Sequence, residues 1–199
     1  MTKGDKIALL GCGYHARGVV AVILHNNPKA NIVFVDENAR PNEKIMGFDV
    51  ISDIPADAKI FVSGAGDNQK RKAWAKGKKV STVIANDAVI CAFSKIDEAC
   101  FIAHGCFVGS EVKIAKGCIL NTHAVVEHNA QIGEFTNIAP NATVLGQCVI
   151  GSNVFVGAGA VIRNNVKVCD NVVIGAGAIV VKDITEPGTY VGCPAVKIK

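Results

Sequence analysis

Apolar residues recur at every sixth position through the second half of the chain. Fifteen consecutive positions at this spacing, from Ile96 to Val180, hold Ile, Leu or Val, and no insertion interrupts the count. The position four residues after each of them is mostly small. A period of six matches neither an α-helix nor an alternating strand, and it is typical of a parallel β-helix with one short strand and one corner per unit. Three units close a triangular coil, so the pattern predicts a β-helix of about five coils over residues 96–199, including a C-terminal tail.

The first 85 residues follow a different pattern, in which apolar runs alternate with helix-like stretches. Four runs have the composition of strands: 6–10, 32–36, 59–63 and 81–85. Helical stretches follow the first and third runs, and Asp67 is the expected N-cap of the second helix. The alternation predicts an α/β, Rossmann-like domain over 1–85, with a small parallel sheet and a ligand crevice at its strand ends. Residues 86–95 are expected to be a linker, and the segment between Pro41 and Pro55 a loop.

The turn after the first strand carries a variant of the glycine-rich nucleotide motif, Gly11-x-Gly13-x-x-Ala16. Glycines let the backbone approach a phosphate, and the following helix N-terminus supplies N–H groups and the positive end of a dipole. Asp36, at the end of the second strand, is placed to accept from a ribose hydroxyl. The motif is short enough to be a tight turn without a ligand. The small sheet favours a single nucleotide over a dinucleotide.

Several polar residues near the motif have two interpretations. His15 either hydrogen-bonds a sugar or phosphate or caps the first helix, and Asn68 either contacts a ligand or caps the second. The basic cluster around Trp74 is typical of a solvated helix face, with a phosphate contact as the alternative for Arg71. The cluster consists of Lys70, Arg71, Lys72, Lys76, Lys78 and Lys79.

Composition and charge exclude several classes of protein. Half of the 199 residues are apolar and 19% are charged, which indicates a folded chain, and a net charge of +4 is too small to indicate nucleic acid or a membrane surface. No apolar run has the ~18 residues of a membrane span, and the N-terminus lacks a signal-peptide pattern. We therefore expect a cytoplasmic protein whose eight cysteines are thiols. Their spacing matches no zinc motif, so no metal is expected. Four fall at the small interior position and are expected to be inert: Cys100, Cys106, Cys118 and Cys148.

His128 is the leading candidate for chemistry on the β-helix. It follows the interior residue Val126 by two positions, so its ring is expected to point outward. An exposed imidazole is able to act as a base near neutral pH. His104 and His123 occupy comparable positions, so position alone does not choose among the three.

The segment from Asn121 to Pro140, NTHAVVEHNAQIGEFTNIAP, resembles the signature of bacterial nucleotide-aminosugar N-acetyltransferases. These enzymes make N-acetylated bacillosamine, perosamine, viosamine or legionaminic-acid precursors, and the resemblance extends to the related sialic-acid O-acetyltransferases. It covers nearly the whole chain, since GCGYHA at 11–16, GAGDN at 64–68 and VGCPA at 191–195 have counterparts too. The resemblance implies a homotrimer of left-handed β-helices. Its N-terminal domain would bind the nucleotide-linked amino sugar, and acetyl-CoA would lie between neighbouring β-helices. The reaction would need no metal.

The resemblance also implies roles for individual residues. His128 matches the catalytic base. The positions that match contacts to the nucleotide sugar are Gly13, Tyr14, His15, Asp36, Glu37 and Gly66. Asn68, at the start of the second helix, is expected to face the same crevice. The positions that match the backbone along the CoA arm are Gly146, Ala158 and Ala176, taken together with the neighbouring Gly157 and Gly175.

Two positions depart from the family pattern. Asn129 stands where the family usually has an acid directly after the base, and Asn137 stands where it often has a second histidine, which would hold the acetyl carbonyl or the sugar. Asparagine is able to orient an imidazole but supplies no charge, and Glu127 is the one acid adjacent to His128 in sequence. We therefore expect catalysis to involve His128, Asn129, Glu127 and Asn137.

The expected reaction is direct acetyl transfer to the amino group of a nucleotide-linked sugar, with a 4-amino-4,6-dideoxy sugar favoured. Two alternatives remain open. One is an acetyltransferase for another acceptor, such as a sugar hydroxyl or an amino acid. The other is a non-catalytic trimeric scaffold that binds a nucleotide sugar. A dehydrogenase is disfavoured because the β-helix leaves no room for a separate substrate domain.

Overall fold

A five-stranded sheet and two helices form the N-terminal domain in the computed structural model, which describes residues 5–199. The strands are β1 (Lys6–Leu10), β2 (Asn31–Val35), β3 (Lys44–Ile45), β4 (Phe48–Ile51) and β5 (Ala58–Ser63), and the helices are α1 (Tyr14–Asn26) and α2 (Asn68–Ala75). The sheet order is β3-β4-β2-β1-β5, and every pair is parallel except the β3–β4 hairpin. The predicted α/β domain with a parallel sheet is confirmed.

The central position of β1 follows from its composition. Ile7, Ala8, Leu9 and Leu10 are all buried, because the strand has neighbours on both edges and is covered on both faces. Helix α1 packs its apolar stripe, which includes Ala16, against the sheet.

The segment between Pro41 and Pro55 corrects the sequence prediction. It contains β3 and β4, which pair with each other, and β4 extends the sheet beyond β2. Strands this short leave too few residues to show an alternating pattern, so the sequence suggests a loop.

The rest of the chain winds into a parallel β-helix of short strands stacked in three faces. Its strands are β6 (Val83–Ile84), β7 (Val89–Ile90), β8 (Lys95–Ile96), β9 (Phe101–Ile102), β10 (Phe107–Val108), β11 (Lys113–Ile114), β12 (Ile119–Leu120), β13 (Val125–Val126), β14 (Gln131–Ile132), β15 (Asn137–Ile138), β16 (Thr143–Val144), β17 (Val149–Ile150), β18 (Phe155–Val156), β19 (Val161–Ile162), β20 (Lys167–Val168), β21 (Val172–Ile174) and β22 (Ile179–Val180). Face 1 holds β6, β9, β12, β15, β18 and β21; face 2 holds β7, β10, β13, β16, β19 and β22; face 3 holds β8, β11, β14, β17 and β20.

The six-residue repeat explains the interior. Each strand places one aliphatic residue inside, and residues 18 positions apart stack on each other, as Val126 does between Val108 and Val144. The small position also points inward, so Ala124 and Cys148 are fully buried. The predicted parallel β-helix and its core are confirmed.

The start of the β-helix corrects the predicted boundary. Only the start of run 81–85 meets the N-terminal sheet, where the Ser81 N–H donates to the Phe61 carbonyl at 2.7 Å. Val83–Ile84 pairs instead with β9 of face 1, so the placement of the whole run in that sheet is wrong. Val89–Ile90 pairs with β10, so the expected linker at 86–95 contains a strand of the first coil. Ile84 and Ile90 continue the six-residue step upstream of Ile96. Strand propensity alone does not indicate which strand a segment pairs with. The six-residue spacing does, because it places both segments in register with the strands of the β-helix.

The C-terminal tail closes the β-helix. Strand β23 (Gly188–Val191) pairs with β21 in parallel, and β24 (Val196–Lys197) returns antiparallel to β23. Within residues 5–199, neither helix combines the length and the apolar character needed to cross a bilayer.

The N-terminal domain rests on face 1 and its adjoining corners through a buried arginine. The Arg71 guanidinium, on α2, donates to the carbonyl oxygens of Gly117 at 2.9 Å and Phe135 at 3.0 Å, both in the β-helix. It also donates to the carbonyl of Gly66 at 2.7 Å and to Asn68 Oδ1 at 2.9 Å. Burial lowers the pKa of Arg71 to about 10. Four acceptors thus compensate a cation removed from water and fix the orientation of the two domains.

Candidate active site

A cavity of about 890 Å³ lies at the carboxyl ends of the N-terminal strands, where the sequence places a nucleotide crevice. Its lining includes six of the seven residues assigned to the nucleotide sugar: Gly13, Tyr14, His15, Asp36, Glu37 and Gly66. The exception is Asn68. Tyr14 is 90% exposed and presents a free aromatic face at this site, with the Arg17 guanidinium 5.2 Å from its ring centre.

The two motif glycines differ in their surroundings. Gly11 has φ +94°, and a Cβ there would lie 2.4 Å from the indole of Trp74, so this glycine is required by packing and by backbone geometry. Gly13 is the N-cap of α1 with φ −66°, and a Cβ there would meet no atom within 4 Å. Its missing side chain therefore leaves open space in front of a helix N-terminus, which suits the approach of a phosphate.

His15 is not a helix cap. It lies within α1, whose N-cap Gly13 carries no side-chain cap bond, and its ring packs edge-on against Phe101 of the β-helix at 5.2 Å. Burial, with a smaller contribution from the Arg71 cation, lowers the pKa of His15 to about 4, so the ring is neutral near pH 7. Its Nε2 is buried without a hydrogen-bond partner among the described residues. A buried polar atom that lines a cavity and lacks a partner suits a ligand contact.

Asp36 supports the glycine loop. Its Oδ2 accepts from both the backbone N–H and the thiol of Cys12 at 3.2 Å, and its Oδ1 accepts from the backbone N–H of Asn38 at 3.1 Å. Burial opposes ionisation of Asp36, but the Asn38 and Cys12 hydrogen bonds outweigh it and lower its pKa. The Asp36 carboxylate is thus ionised, and it already accepts hydrogen bonds from Cys12 in the glycine loop.

The second helix differs from its sequence interpretations. Asp67 is the N-cap, since its side chain accepts from the backbone N–H of Lys70 at 2.8 Å. Asn68 is therefore not the cap, and its amide instead joins Arg71 to the carbonyl of Val154 at the domain junction. Arg71 does not lie on the solvated face predicted for the cluster, since it is 2% exposed, and the alternative of a phosphate contact is not met either, because its acceptors are all protein atoms.

The lysines of the basic cluster are exposed, as a solvated helix face requires. Lys70 and Lys78 also line the large cavity, together with Trp74, whose place in the lining the sequence analysis missed. These two are cations beside a cavity whose lining also holds Asp36 and Glu37.

A second cavity, of about 320 Å³, surrounds His128 at the corner between faces 2 and 3. The imidazole is exposed, as predicted. The cavity is lined by Glu127, His128, Leu145, Gly146, Gln147, Asn164 and Asn165. A Cβ on Gly146 would lie 2.6 Å from His128 Nε2, so the ring edge carrying Nε2 occupies the space that the absent side chain leaves. Among the described residues, the Gly146 N–H has no hydrogen-bond acceptor.

Asn129 orients the histidine and is itself held by an acid. His128 Nδ1 lies 3.1 Å from Asn129 Oδ1, and Asn129 Nδ2 donates to Glu111 Oε2. Glu111 precedes Asn129 by 18 residues, so the two side chains lie on successive coils. Glu111 is not among the site residues predicted from the sequence, although the six-residue repeat places it below Asn129. Glu127 lines the cavity and makes no hydrogen bond to the ring.

The two other histidines weighed beside His128 lie at a different corner, between faces 1 and 2. His104 Nδ1 bonds to Asp87 Oδ1 at 2.8 Å, and its ring contacts that of His25 at 4.9 Å. His25, Asp87 and His104 bring three possible metal-ligand atoms within 4.8 Å of one another, but none of the three lines either cavity. A Cβ on Gly105 would strike the ring of His123, which packs against that corner.

Of the five residues assigned to CoA, Gly146 lies beside His128, and the other four lie near the corner between faces 1 and 2. Ala158 and Ala176 are exposed and stack on successive coils at the corner between faces 1 and 2, where the Gly177 N–H donates to the Ala158 carbonyl at 2.9 Å. Gly157 and Gly175 have packing reasons to be glycine, since a Cβ on either would lie within 2.7 Å of a neighbouring atom. Their contact with a ligand stays a prediction.

Asn137 lies under the N-terminal domain rather than beside His128. It is 8% exposed on face 1, and its Nδ2 is 3.5 Å from the Gly66 carbonyl. Its Oδ1 is buried without a partner in the described part of the chain. Asn137 Oδ1 is thus an acceptor without a partner on face 1. It lies beneath the loop that contains Gly66, which also lines the large cavity.

The cysteines offer no nucleophile at either cavity. The four interior cysteines are buried, as predicted, and burial raises the pKa of Cys106 to about 11. Cys12, which lines the large cavity, has its pKa raised to about 11 by burial and by the adjacent Asp36 carboxylate. A thiol held protonated is a poor nucleophile.

Two known families match parts of the chain. Residues 6–77 match the PglD N-terminal domain, and residues 147–182 match the bacterial transferase hexapeptide family. The two matches fall on the α/β domain and on the β-helix, and so agree with the division of the chain that the structure shows.

Solved structures place the chain more narrowly. The acetyltransferase domain of PglB from Neisseria gonorrhoeae FA1090 has a TM-score of 0.89 and 27% identity, over 98% of this chain and 100% of that one. The same domain in complex with acetyl coenzyme A has 28% identity and a TM-score of 0.88 over the same shares. PerB from Caulobacter crescentus, in complex with CoA and GDP-perosamine, has a TM-score of 0.88 at 24% identity, over 100% of this chain and 99% of that one, and shows the shared fold. The chain is an acyltransferase, and its resemblance to bacterial aminosugar N-acetyltransferases is confirmed.

Proposed function

We propose that the chain transfers the acetyl group of acetyl-CoA to the amino group of a nucleotide-linked amino-deoxy sugar, with a 4-amino-4,6-dideoxy sugar as the favoured acceptor. The observation that carries the proposal is the exposed His128 ring, whose Nε2 faces Gly146 in a cavity on the β-helix. The structural likeness to a PglB acetyltransferase domain in complex with acetyl coenzyme A supports this donor.

The large cavity would bind the nucleotide. The open space before Gly13 admits a phosphate to the N-terminus of α1, and the exposed Tyr14 ring offers a stacking surface for a base. His15 Nε2 has no partner within the protein and is available to the ligand. Lys70 and Lys78 add positive charge at the lining, which favours a phosphorylated ligand.

His128 would act as the general base. The amine attacks the thioester carbon as its free base, the new N–C bond forms, and His128 Nε2 accepts the proton that leaves the nitrogen. The carbonyl oxygen gains negative charge, and the unpaired Gly146 N–H is a suitable donor to it. Collapse of the intermediate restores the carbonyl and breaks the C–S bond. The proton held by His128 passes to the sulfur, so CoA leaves as a thiol and the N-acetyl sugar remains.

A homotrimer would complete the site. The outward residues of face 2 form an apolar, partly exposed row: Val89, Phe107, Val125, Val161 and Ile179, broken only by Thr143. Face 3 instead presents Lys95, Lys113 and Lys167, and the N-terminal domain contacts face 1. An apolar face of this kind marks an interaction surface.

The position of the two predicted half-sites supports this assembly. His128 lies at one edge of face 2, and the Ala158–Ala176 column lies at the other edge. Packing face 2 of one copy against its neighbour would bring the base of one copy towards the CoA column of another.

The test is thiol release from acetyl-CoA across UDP-, GDP- and dTDP-linked 3- and 4-amino sugars, with the product identified by mass. We expect release with at least one nucleotide-linked amino sugar and a product heavier by one acetyl group. Free amino acids and sugars without an amino group serve as matched controls. Release with these controls alone, or with no acceptor, would overturn the proposed acceptor class.

A further inference from the structure

We propose that Glu111 is a positioning residue that fixes the tautomer of His128 through the side-chain amide of Asn129. Its catalytic consequence rests on the proposed function, but the tautomer itself is a property of the free protein.

Stacking of the coils brings the acid to the amide. Glu111 and Asn129 occupy the same corner of successive coils and share left-handed backbone angles, with φ of 62° and 59°. The Asn129 N–H bonds to the carbonyl of Ser110 at 3.0 Å, which sets the two corners in register. Glu111 Oε2 accepts from Asn129 Nδ2, and Asn129 Oδ1 faces His128 Nδ1 at 3.1 Å.

The order of donors and acceptors then follows from chemistry. An ionised carboxylate only accepts hydrogen bonds, so Asn129 has to turn its NH₂ end towards Glu111. The opposite rotation of the amide would place two oxygens against each other. The carbonyl end therefore faces the ring, and because this oxygen also only accepts, His128 Nδ1 has to carry the hydrogen.

A neutral imidazole has one N–H, so this arrangement leaves the lone pair on Nε2. Nε2 is the atom that faces Gly146 and the small cavity. Without Glu111, the amide is free to rotate and donate to Nδ1, which would place the hydrogen on Nε2 and prevent it from accepting a proton. The acid thus acts through the amide to keep the cavity-facing nitrogen basic.

The arrangement also compensates for the absence of an acid directly after His128. Hydrogen bonds in a chain polarise one another, so donation from Asn129 to a carboxylate strengthens its carbonyl as an acceptor from the ring. The negative charge that an acid directly after His128 would supply comes here from Glu111 on the preceding coil.

Nitrogen-15 NMR of the histidine rings tests the tautomer in the free protein. His128 is assigned by the loss of its signals in His128→Gln. In wild type, with the ring neutral, we expect His128 to carry its hydrogen on Nδ1. The Glu111→Gln side chain offers both a donor and an acceptor and no longer dictates the amide rotation, so we expect a mixture of tautomers.

Glu98→Gln is the matched control. Glu98 accepts from the side chain of Lys116, which is also 18 residues ahead on the next coil, at a corner that does not line the small cavity. We expect this variant to keep the wild-type ring signals. A pure Nδ1–H tautomer in Glu111→Gln would overturn the proposal, whatever the activity of the protein.

Kinetics test the consequence. We expect Glu111→Gln to lower kcat by roughly 10–100-fold with KM for acetyl-CoA little changed, as for other residues that orient a reacting side chain. Adding Asn129→Asp to Glu111→Gln places a carboxylate directly beside His128 and should restore most of kcat. A changed tautomer with unchanged kcat would contradict the role of His128 as base and leave the role of Glu111 intact.

Discussion

The glycine loop of the N-terminal domain shows how far single residues can be interpreted from sequence. Gly11 and Gly13 look equivalent in the motif, yet one is needed for packing on Trp74 and the other faces open space. The sequence predicts the loop and its nucleotide-type location. It does not separate the two glycines, because the indole that makes the difference lies more than sixty residues away on α2.

Gly13→Ala should therefore weaken nucleotide binding without unfolding the protein. The backbone at Gly13 is compatible with alanine and the Cβ meets no atom, so we expect a melting temperature close to that of wild type. The methyl group would occupy the phosphate approach, and we expect roughly a tenfold or larger rise in Kd for the bound nucleotide, which corresponds to about 1.4 kcal/mol. Calorimetric titration measures the Kd, and unchanged binding would remove Gly13 from the phosphate site.

His15 should make the fold sensitive to acid. Its pKa of about 4 in the folded chain lies below the value of 6.5 expected when unfolded, so the unfolded state binds the extra proton between these values. Stability is therefore fully present above about pH 6.5 and is lost as the pH falls towards 4, by about 3 kcal/mol at most.

His15→Phe lacks this titration and should lose less stability over the same range. Urea unfolding at pH 7 and pH 4.5 measures the difference between the two proteins. If wild type and His15→Phe lose the same unfolding free energy between pH 7 and pH 4.5, His15 is not the source of the acid sensitivity.

At the scale of the element, the six-residue repeat predicted the β-helix because its spacing is incompatible with the other regular structures. The same step would have found β6 and β7, since Ile84 and Ile90 continue it. Helix α2 was harder to interpret. Its cationic sequence favours a solvated face, yet Arg71 turns inward, and only the position of the β-helix carbonyls explains why.

Arg71→Ala should show that the buried Arg71 stabilises the contact between the two domains, whereas the exposed lysines of α2 do not. Removing the guanidinium leaves buried acceptors without donors, and we expect the free energy of unfolding to fall by about 3 kcal/mol or more. Lys72→Ala, an exposed cation on the same helix, should change it by less than about 0.5 kcal/mol. Chemical denaturation compares the two, and equal effects would show that the buried contacts do not hold the domains together.

At the scale of the whole molecule, the three faces of the β-helix have different surfaces. One contacts the N-terminal domain, one is lysine-rich and one is apolar. The repeat predicts which residues point outward but not which face meets which partner, since that depends on where the N-terminal domain packs. The corner that carries His128 adjoins the apolar face.

The apolar face should make the protein a trimer. Light scattering is expected to give three times the mass of the 20.8 kDa chain. Val161→Glu, on face 2, should yield single chains, because it places a charge in the apolar contact. Lys113→Glu, on face 3, is the matched charge change and should leave the mass unaltered. A single-chain mass for wild type would contradict a site built from His128 of one copy and the Ala158–Ala176 column of another.

The most direct test of the account is the rate of acetyl transfer by His128→Ala, measured as product formation from acetyl-CoA and a nucleotide-linked 4-amino sugar that wild type accepts. Because the imidazole is exposed, the variant should fold normally, as checked by its melting temperature. We expect kcat to fall by ~10²–10⁴-fold. A folded His128→Ala protein that acetylates the sugar at the wild-type rate would contradict it.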